Sequence, residues 1–232
     1  MATTKYYGDY ITFANVQLRT DVLDEITESE LNDVIDAAVR RYSIDRPRRI
    51  AQQYTGDGTY RYALPTYWED GISSINAVEF PDEQQAPIYM RVTEWDIIDI
   101  GDGNSEMIHL LVITPSTSDT FTVHYTTKHT VTNTTTTISD GDFEAVGYLV
   151  CSLACLALSA RLARTKDSRY SADTLNFRTK SDEYRSLAKA FMEQYRIMLG
   201  LPDKGTKAAD YIGDINPESP WFVYGNLTHG RR

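Results

Sequence analysis

Residues 140–165, DGDFEAVGYLVCSLACLALSARLART, place an acidic opening before a long stretch with almost no charge. Carboxylates at a helix start cap free backbone amides and favour the helix dipole, so we expect a helix to begin at 140–142. The stretch that follows is apolar nearly all round, which predicts a helix running to about residue 165 inside a bundle. Its uncharged run, 145–160, is shorter than the roughly 20 residues that a membrane span needs, so no membrane contact is predicted.

Small side chains recur at every fourth position of this predicted helix, at Gly147, Cys151, Cys155 and Ser159. Such a stripe lets another helix approach closely, so Gly147, Cys151 and Cys155 are predicted sites of close helix packing. At this spacing the Cβ atoms of the two cysteines would lie about 6 Å apart, beyond disulfide geometry. We therefore expect both cysteines to be buried, reduced thiols in a protein that is synthesised in a cytosol. Burial in an apolar helix should raise their pKa, which argues against a nucleophilic role.

Two further helices are predicted on either side of a middle block. Thr27-Glu28-Ser29-Glu30 forms a capping box, in which the Thr27 hydroxyl accepts from the Glu30 amide and the Glu30 carboxylate reaches back. Apolar residues then share one helix face as far as Pro47, and they begin the predicted bundle core: Leu31, Val34, Ile35, Ala38, Val39 and Tyr42. The last predicted helix spans about 174–199 and ends before Gly200. Its predicted core face comprises Phe177, Tyr184, Leu187, Ala188, Phe191, Tyr195 and Leu199.

Between residues 50 and 138 the hydrophobic pattern changes to a period of two, which is typical of strands. Short runs separated by Gly, Asp, Asn and Pro turns predict six or so short strands, four of which have predicted positions: 59–64, 74–80, 106–114 and 120–125. This spacing indicates a small antiparallel sandwich or barrel. The Thr-rich stretch 126–137 is predicted as an extended linker or an edge strand.

The predicted fold class is therefore α+β: a helical bundle with an inserted small antiparallel β-sandwich or barrel and an extended C-terminal arm. Residues 1–49, an N-terminal strand or arm plus a helix, and residues 140–201, two long helices, form the bundle. Residues 50–139 form the inserted β domain, and 202–232 form the arm. Charge agrees with this division, because residues 51–139 hold 3 basic and 12 acidic side chains, a net charge of −9 within a total of −10.

The acidic balance argues against a protein that grips nucleic acid, which needs a basic face to neutralise phosphates. The densest basic cluster, Arg46, Arg48 and Arg49, either contacts nucleic acid or pairs with acidic neighbours or another subunit. The sequence contains no nucleophile elbow, no zinc-protease motif and no phosphate-binding loop. His124 and His129 have no third ligand nearby. We therefore predict no catalytic residue, no metal site and no cofactor.

An aromatic cluster lies in the C-terminal segment, where no helical or strand periodicity continues. Trp221, Phe222, Val223 and Tyr224 follow Pro220. Large aromatics left in water promote aggregation, whereas aromatic anchors are typical of interface hot spots. We expect these residues either to dock on a neighbouring or partner protein or to pack back on the parent fold.

Two stretches of the chain combine distinctive features in a fixed order. In 142–162 a short acidic lead enters an apolar, Ala-rich helix. In 171–184, SADTLNFRTKSDEY, a helix follows a polar loop and opens with an aromatic, a basic residue and a Lys-Ser-x-x-Tyr-like run. These stretches resemble the head–tail connector, or adaptor, proteins of tailed bacteriophages. The amphipathic opening helix at 27–42 fits the same pattern. The resemblance covers about 1–50 and 140–200, and the β block fits a sandwich-like insertion known in that family.

The resemblance implies a structural, non-enzymatic subunit of a virion neck that is made in the host cytoplasm. Such subunits form a homo-oligomeric ring, dodecameric in the family, below the portal protein ring of the capsid. The ring extends the channel through which double-stranded DNA passes without specific binding during genome ejection, and it docks stopper or tail proteins. A C-terminal arm commonly contacts the portal, and Trp221, Phe222, Val223 and Tyr224 would be its anchors here.

Two alternatives stay open at the level of sequence. Another neck or tail-completion protein would bind on the tail side and not at the portal. A ligand-binding or glycan-binding β-sandwich module belongs to a different class of protein, and aromatic side chains that are able to stack on sugars support it. These aromatics are Tyr60, Tyr62, Tyr67, Trp68, Tyr89 and Trp95.

Overall fold

A computed structural model describes residues 5–19, 26–82, 84–99, 101, 106–164 and 171–201, and for residues 164 and 171–179 it describes the backbone. Within this part the protein is α+β, as predicted, with four α-helices and two small antiparallel sheets. The helices are α1 (Tyr7–Leu18), α2 (Glu28–Asp45), α3 (Phe143–Arg164) and α4 (Ser171–Leu199). The strands are β1 (Arg48–Thr55), β2 (Arg61–Ala63), β3 (Ile75–Glu79), β4 (Trp95–Ile98), β5 (Met107–Leu110) and β6 (Thr120–Thr127).

Helix α1 occupies the region that was predicted as an N-terminal strand or arm, so that prediction is wrong. Tyr10 and Ala14, one helical turn apart, are fully buried. At the helix start the Tyr6 amide donates to the Asp9 carboxylate at 2.8 Å. The aromatic residues of this segment favour strands by intrinsic preference, and tertiary packing against the other helices overrides that preference.

Helix α2 begins at the predicted capping box. The Glu30 amide donates to the Thr27 hydroxyl at 3.3 Å, and the Thr27 amide donates to the Glu30 carboxylate at 2.9 Å. At the other end the Arg46 amide donates to the Tyr42 carbonyl at 2.7 Å. Pro47 follows, and it ends the helix because its nitrogen has no hydrogen to donate. The prediction of this helix is confirmed to within a few residues.

The helices share a hydrophobic core around α3, which contacts α1, α2 and α4. Val131 and Ile138 also belong to this core, although the sequence placed them in the β domain. The His129 amide donates to the Ser43 hydroxyl of α2 at 2.9 Å, so the Thr-rich stretch is held against the helices. The buried core residues of the helices are Tyr10, Ala14, Leu31, Ile35, Ala38, Val39, Tyr42, Ala145, Val146, Leu149, Val150, Cys151, Ala154, Leu158 and Tyr195.

The strands form two three-stranded sheets. Strand β6 lies between β1 and β3 in the first sheet, and β5 lies between β2 and β4 in the second. The predicted strands at 59–64, 74–80 and 120–125 coincide with β2, β3 and most of β6. Neither sheet closes into a barrel within the described strands, so the barrel alternative is wrong.

Three features of the sheets differ from the prediction. The predicted strand at 106–114 ends early, because β5 stops at Leu110 while Leu111 and Val112 are exposed. Strands β1 and β4 lie outside the four positions at which strands are predicted. Strand β1 carries many polar residues and forms because it pairs along its whole length with β6, from Arg48 opposite Thr127 to Thr55 opposite Thr120.

The two sheets share a hydrophobic core of their own. Phe121 of β6 stacks on Tyr54 of β1 with 5.2 Å between ring centroids, and it meets Tyr62 of β2 edge-on at 4.7 Å. Both sheets therefore contribute large side chains to one apolar interior. Its buried members are Tyr62, Val78, Ile108, Leu110, Phe121 and Val123.

Helix α3 with the turn before it, 140–163, is long and apolar enough to cross a membrane by length and composition. The uncharged run 145–160 is too short by itself to span a membrane, but the helix continues past Arg161 and reaches the necessary length. In the fold, 61% of the most apolar window of this helix is buried inside the protein. That burial is typical of the central helix of a bundle. The lack of membrane contact stays a prediction.

Candidate functional site

The two histidines singled out in the sequence contact protein groups. His124 on β6 lies 3.3 Å from the Glu79 carboxylate on β3. The ring nitrogens of His129 lie 3.0 Å from the Thr137 carbonyl oxygen and 3.1 Å from that of Arg46. Burial lowers the pKa of His129. Across the described ranges no group of three or more His, Cys, Asp or Glu side chains is placed to hold a metal ion.

Cys151 and Cys155 are free thiols and are fully buried. Burial raises the pKa of Cys151 to about 12 and that of Cys155 to about 11. Both thiols are therefore protonated at neutral pH, whereas the thiolate is the nucleophilic form. This environment fits a packing role.

The small-residue stripe on α3 faces two different helices. Gly147 lies against the Phe13 ring of α1, and a Cβ added to it would come within 2.7 Å of a ring carbon. At the other end of the stripe, the Ser159 hydroxyl donates to the Ser181 carbonyl of α4 at 2.9 Å. The change of partner follows from helix geometry, because each step of four residues rotates the stripe by about 40°.

The other predicted core residues are buried, partly buried or exposed. Leu31 and Ile35 are fully buried. The partly buried residues that pack on the helical core are Val34, Tyr184 and Phe191. Leu187 is 44% exposed, so its assignment to the bundle core is wrong. Successive residues of a helix point about 100° apart, so the burial of Ala188 leaves the neighbouring Leu187 on a more exposed side of α4.

The Asp142 carboxylate ties the start of α3 to the end of α2. It accepts hydrogen bonds from the Tyr42 hydroxyl, the Arg46 guanidinium and the Ser139 hydroxyl, each at 2.7 Å. The sequence assigned this carboxylate to capping of α3, but its hydrogen bonds link two helices across the β segment. Arg46 therefore pairs with an acidic residue, Asp142, which is one of the alternatives predicted for the basic cluster.

A groove between α3 and α4, which we call the basic groove, has an apolar floor and a largely basic rim. It encloses about 340 Å³. At its floor the Ser152 hydroxyl donates to the Ala188 carbonyl at 2.8 Å, which joins the two helices. Arg185 and Lys189 lie one helical turn apart, and neither forms an ion pair with another residue in the described ranges. The lining residues are Ser152, Leu156, Arg185, Ala188, Lys189, Met192, Glu193 and Arg196.

A groove of larger volume, about 660 Å³, lies between α2 and α3, and we call it the acidic groove. Glu30 and Asp33 lie on its α2 side, and Ala157, Ala160 and Arg161 lie on its α3 side. Hydrogen bonds from Thr27 lower the pKa of Glu30, so its carboxylate stays charged at neutral pH. The groove therefore presents negative charge above small and apolar side chains.

A third cavity of about 400 Å³, which we call the junction pocket, lies at the end of the first sheet where β1 begins at Arg48 and β6 ends at Thr127. An ion pair at 2.9 Å between Lys128 and Glu69 borders it, and the Tyr67 side chain beside it is 69% exposed. Its lining is mostly polar: Arg48, Thr66, Tyr67, Trp68, Glu69, Thr127, Lys128 and Thr130.

No protein-family model and no curated protein matches this chain. The predicted arm residues, Trp221, Phe222, Val223 and Tyr224, lie outside the described residues, which end at Leu201. Their docking role stays a prediction. Within the described residues, the two grooves and the junction pocket are surfaces that could serve a function.

Sequence reasoning missed both grooves. Arg185 and Lys189 are spaced to share one face of α4, and Glu30 and Asp33 are spaced to share one face of α2. These spacings predict charged faces, but a solvated helix face carries the same pattern. The grooves appear when α3 is placed between α2 and α4, which is tertiary information.

Proposed function

We propose that this protein is a structural head-to-tail adaptor subunit in the neck of a tailed-phage virion. The observation that carries the proposal is the order of the elements: the amphipathic helix α2, a β insertion, the apolar helix α3 and the long helix α4. This is the order on which the resemblance to connector proteins rests. The hydrogen bonds from Tyr42 and Arg46 to Asp142 join the two points of the chain between which the β segment is inserted. This supports a helical domain that carries the β segment as an insertion.

In this proposal the helices form the bundle of a homo-oligomeric ring, and the two sheets form a sandwich-like insertion on it. The apolar interior shared by both sheets supports the sandwich. The ring binds below the portal ring, extends the DNA channel and docks stopper or tail proteins. The segment 202–232 serves as an arm that contacts the portal.

The negative charge of the β segment supports the proposal that this segment lines the DNA channel. Carboxylates repel phosphates, so DNA would pass such a wall without binding to it. The exposed Asp57 and the partly exposed Asp119 keep their charge, since hydrogen bonds from Thr59 lower the pKa of Asp57 and those from Ser116 lower the pKa of Asp119. We expect lysine substitutions at those exposed acids that line the channel to slow genome ejection. Unchanged ejection kinetics across a scan of all the exposed acids would contradict this lining.

The test of the adaptor function is native mass spectrometry of the protein mixed with the portal ring encoded beside it. We expect the portal ring to gain one copy of the protein per portal subunit. A chain lacking residues 203–232 is expected to lose this binding, while its thermal unfolding matches that of the full chain. A monomeric mass for the protein alone does not test the proposal, because the resemblance allows subunits that assemble only when they meet the portal.

Two unchanged species at micromolar concentration would overturn the portal-side role. The same mixture with purified stopper or tail proteins then tests the tail-side alternative. Binding there without portal binding would assign the chain to a different neck or tail-completion role.

The junction pocket favours the second candidate, a module that binds a polar ligand such as a glycan. It combines two aromatic side chains, Tyr67 and Trp68, with several hydroxyl groups and the Lys128–Glu69 ion pair. Stacking on an aromatic face with hydrogen bonds from its surroundings suits a sugar. A glycan array in which the native protein binds and the Tyr67→Ala variant does not would support this function. An array without hits would exclude it.

A further inference from the structure

We propose that the basic groove of one copy of this chain docks on the acidic groove of the next copy. Neighbouring subunits then join through α4 of one copy and α2 of the other. The inference rests on the proposed function, because it assigns the subunit contact of the adaptor ring. The partner that binds in each groove is a second copy of this chain.

The two grooves carry opposite charge. Three of the residues that line the basic groove are basic and one is acidic, and Arg185 and Lys189 pair with no other described residue. The acidic groove has Glu30 and Asp33 on its α2 side, with Arg161 as its one base. Opposite charges on two surfaces steer their encounter and fix their register.

Both grooves also present apolar side chains to solvent. Leu156 at the basic groove is 44% exposed, which leaves a large apolar side chain in water in a single copy. Ala157 and Ala160 at the acidic groove are small and exposed, so another helix can approach them closely. The acidic groove, at about 660 Å³, has the larger volume of the two, compared with about 340 Å³ for the basic groove.

The grooves lie on different sides of α3. Ser152 and Leu156 line the basic groove, whereas Ala157 and Arg161 line the acidic groove. A contact between two different surfaces of the same chain is head-to-tail, so each copy keeps one groove free for the next copy. Repetition of such a contact closes into a ring when the rotation between copies divides the circle.

Charge reversal within the full-length protein tests this contact on the portal. Lys189→Glu or Asp33→Lys places like charges in contact and is expected to weaken loading of the portal ring at least tenfold. The chain with both substitutions restores opposite charges between copies and is expected to load within threefold of the native chain. Arg40→Glu and Asp182→Lys are matched controls, because both positions are exposed helix residues that line neither groove. Loading is measured as copies per portal ring by native mass.

A cross-link identifies the partner surface directly. The chain with both Asp33→Cys and Lys189→Cys, loaded on the portal ring and then treated with a short bis-maleimide, is expected to give a ladder of covalent multimers. Each single-cysteine variant is expected to give none, because the two native thiols are buried. A cross-link from Lys189→Cys to a cysteine placed in 203–232 would assign the basic groove to the tail and overturn the proposal.

The failure of this contact and the failure of the adaptor function are distinguishable. Full portal loading by Lys189→Glu, together with no ladder from the double-cysteine chain, overturns the contact and leaves the adaptor function standing. Conversely, a ladder at high protein concentration without any portal binding by the native chain supports the contact and overturns the portal-side function.

Discussion

Replacing Asp142 by alanine is expected to destabilise the protein far more than the removal of a surface ion pair. The carboxylate accepts three hydrogen bonds, and one donor is the hydroxyl of Tyr42, a residue that is 1% exposed. Its ion-pair partner Arg46 has a side chain that is 60% exposed, so the pair itself contributes at most about 1 kcal/mol. Most of the loss therefore comes from the buried hydroxyl that loses its acceptor.

The magnitude follows from these contacts. A buried hydroxyl left without a partner costs about 1–3 kcal/mol, and the bonds from Arg46 and Ser139 add about 1 kcal/mol together. We therefore expect Asp142→Ala to lower the free energy of unfolding by about 3 kcal/mol. For a chain of 232 residues this corresponds to a fall in Tm of roughly 6–12 °C.

The assay is thermal and denaturant unfolding of four variants: Asp142→Ala, Arg46→Ala, Tyr42→Phe, and the chain with both Tyr42→Phe and Asp142→Ala. Arg46→Ala is expected to cost less than about 1 kcal/mol, because its charge is solvated. In the native background Tyr42→Phe removes a satisfied hydroxyl and is expected to cost about 1 kcal/mol. In the Asp142→Ala background the same change removes an orphaned hydroxyl, so it is expected to be neutral or stabilising.

That change of sign is the decisive result. If Tyr42→Phe lowers the free energy of unfolding equally in both backgrounds, the loss of Asp142 does not act through the buried hydroxyl. A loss below about 1 kcal/mol for Asp142→Ala alone would likewise refute the link between α2 and α3 described above.

Three further predictions concern packing and titration. Gly147→Val should lower the free energy of unfolding by about 1–3 kcal/mol, since the new side chain meets the Phe13 ring; a Phe13→Ala change that adds its full cost to this loss would contradict the contact. Cys151 and Cys155 should resist Ellman's reagent in the native protein and react in denaturant, and fast native reaction would contradict their burial. Burial raises the pKa of Tyr54 from 10.0 to about 12, so its stabilising contribution is complete below pH 10 and is lost as pH rises from 10 towards 12. Tyr54→Phe should make that alkaline loss of stability smaller, although other buried tyrosines with raised pKa values keep their share of it, and an unchanged pH profile would contradict the shift.

Local signals predicted the helices that the structure confirms. The capping box at Thr27, the stop at Pro47 and the acidic start of α3 each act over a few residues, so the sequence contains them in full. Helix α1 escaped prediction because its burial depends on Phe13 fitting against Gly147, more than a hundred residues away in sequence. Strand β1 escaped because its partner β6 defines it.

The functional surfaces were less predictable than the elements. The apolar run 106–114 predicts a buried strand through Leu111 and Val112, but both residues are exposed because β5 ends before them. Leu187 was assigned to the core from its spacing, and it lies on the exposed side of α4. A periodic pattern gives one face of a helix, whereas a groove requires the distance and angle between two helices, which depend on packing across the whole bundle.

The pairing of β1 with β6 has a consequence for the order in which the chain folds. Tyr42 and Asp142 are 100 positions apart, and closing so long a loop costs roughly 3 kcal/mol more conformational entropy than closing a short turn. Strand pairing places Arg48 opposite Thr127, which brings the end of α2 close to the segment that leads into α3. Once the first sheet has formed, the remaining loop is short. The sheet thus acts as a folding template that lowers the entropic barrier to docking α2 on α3.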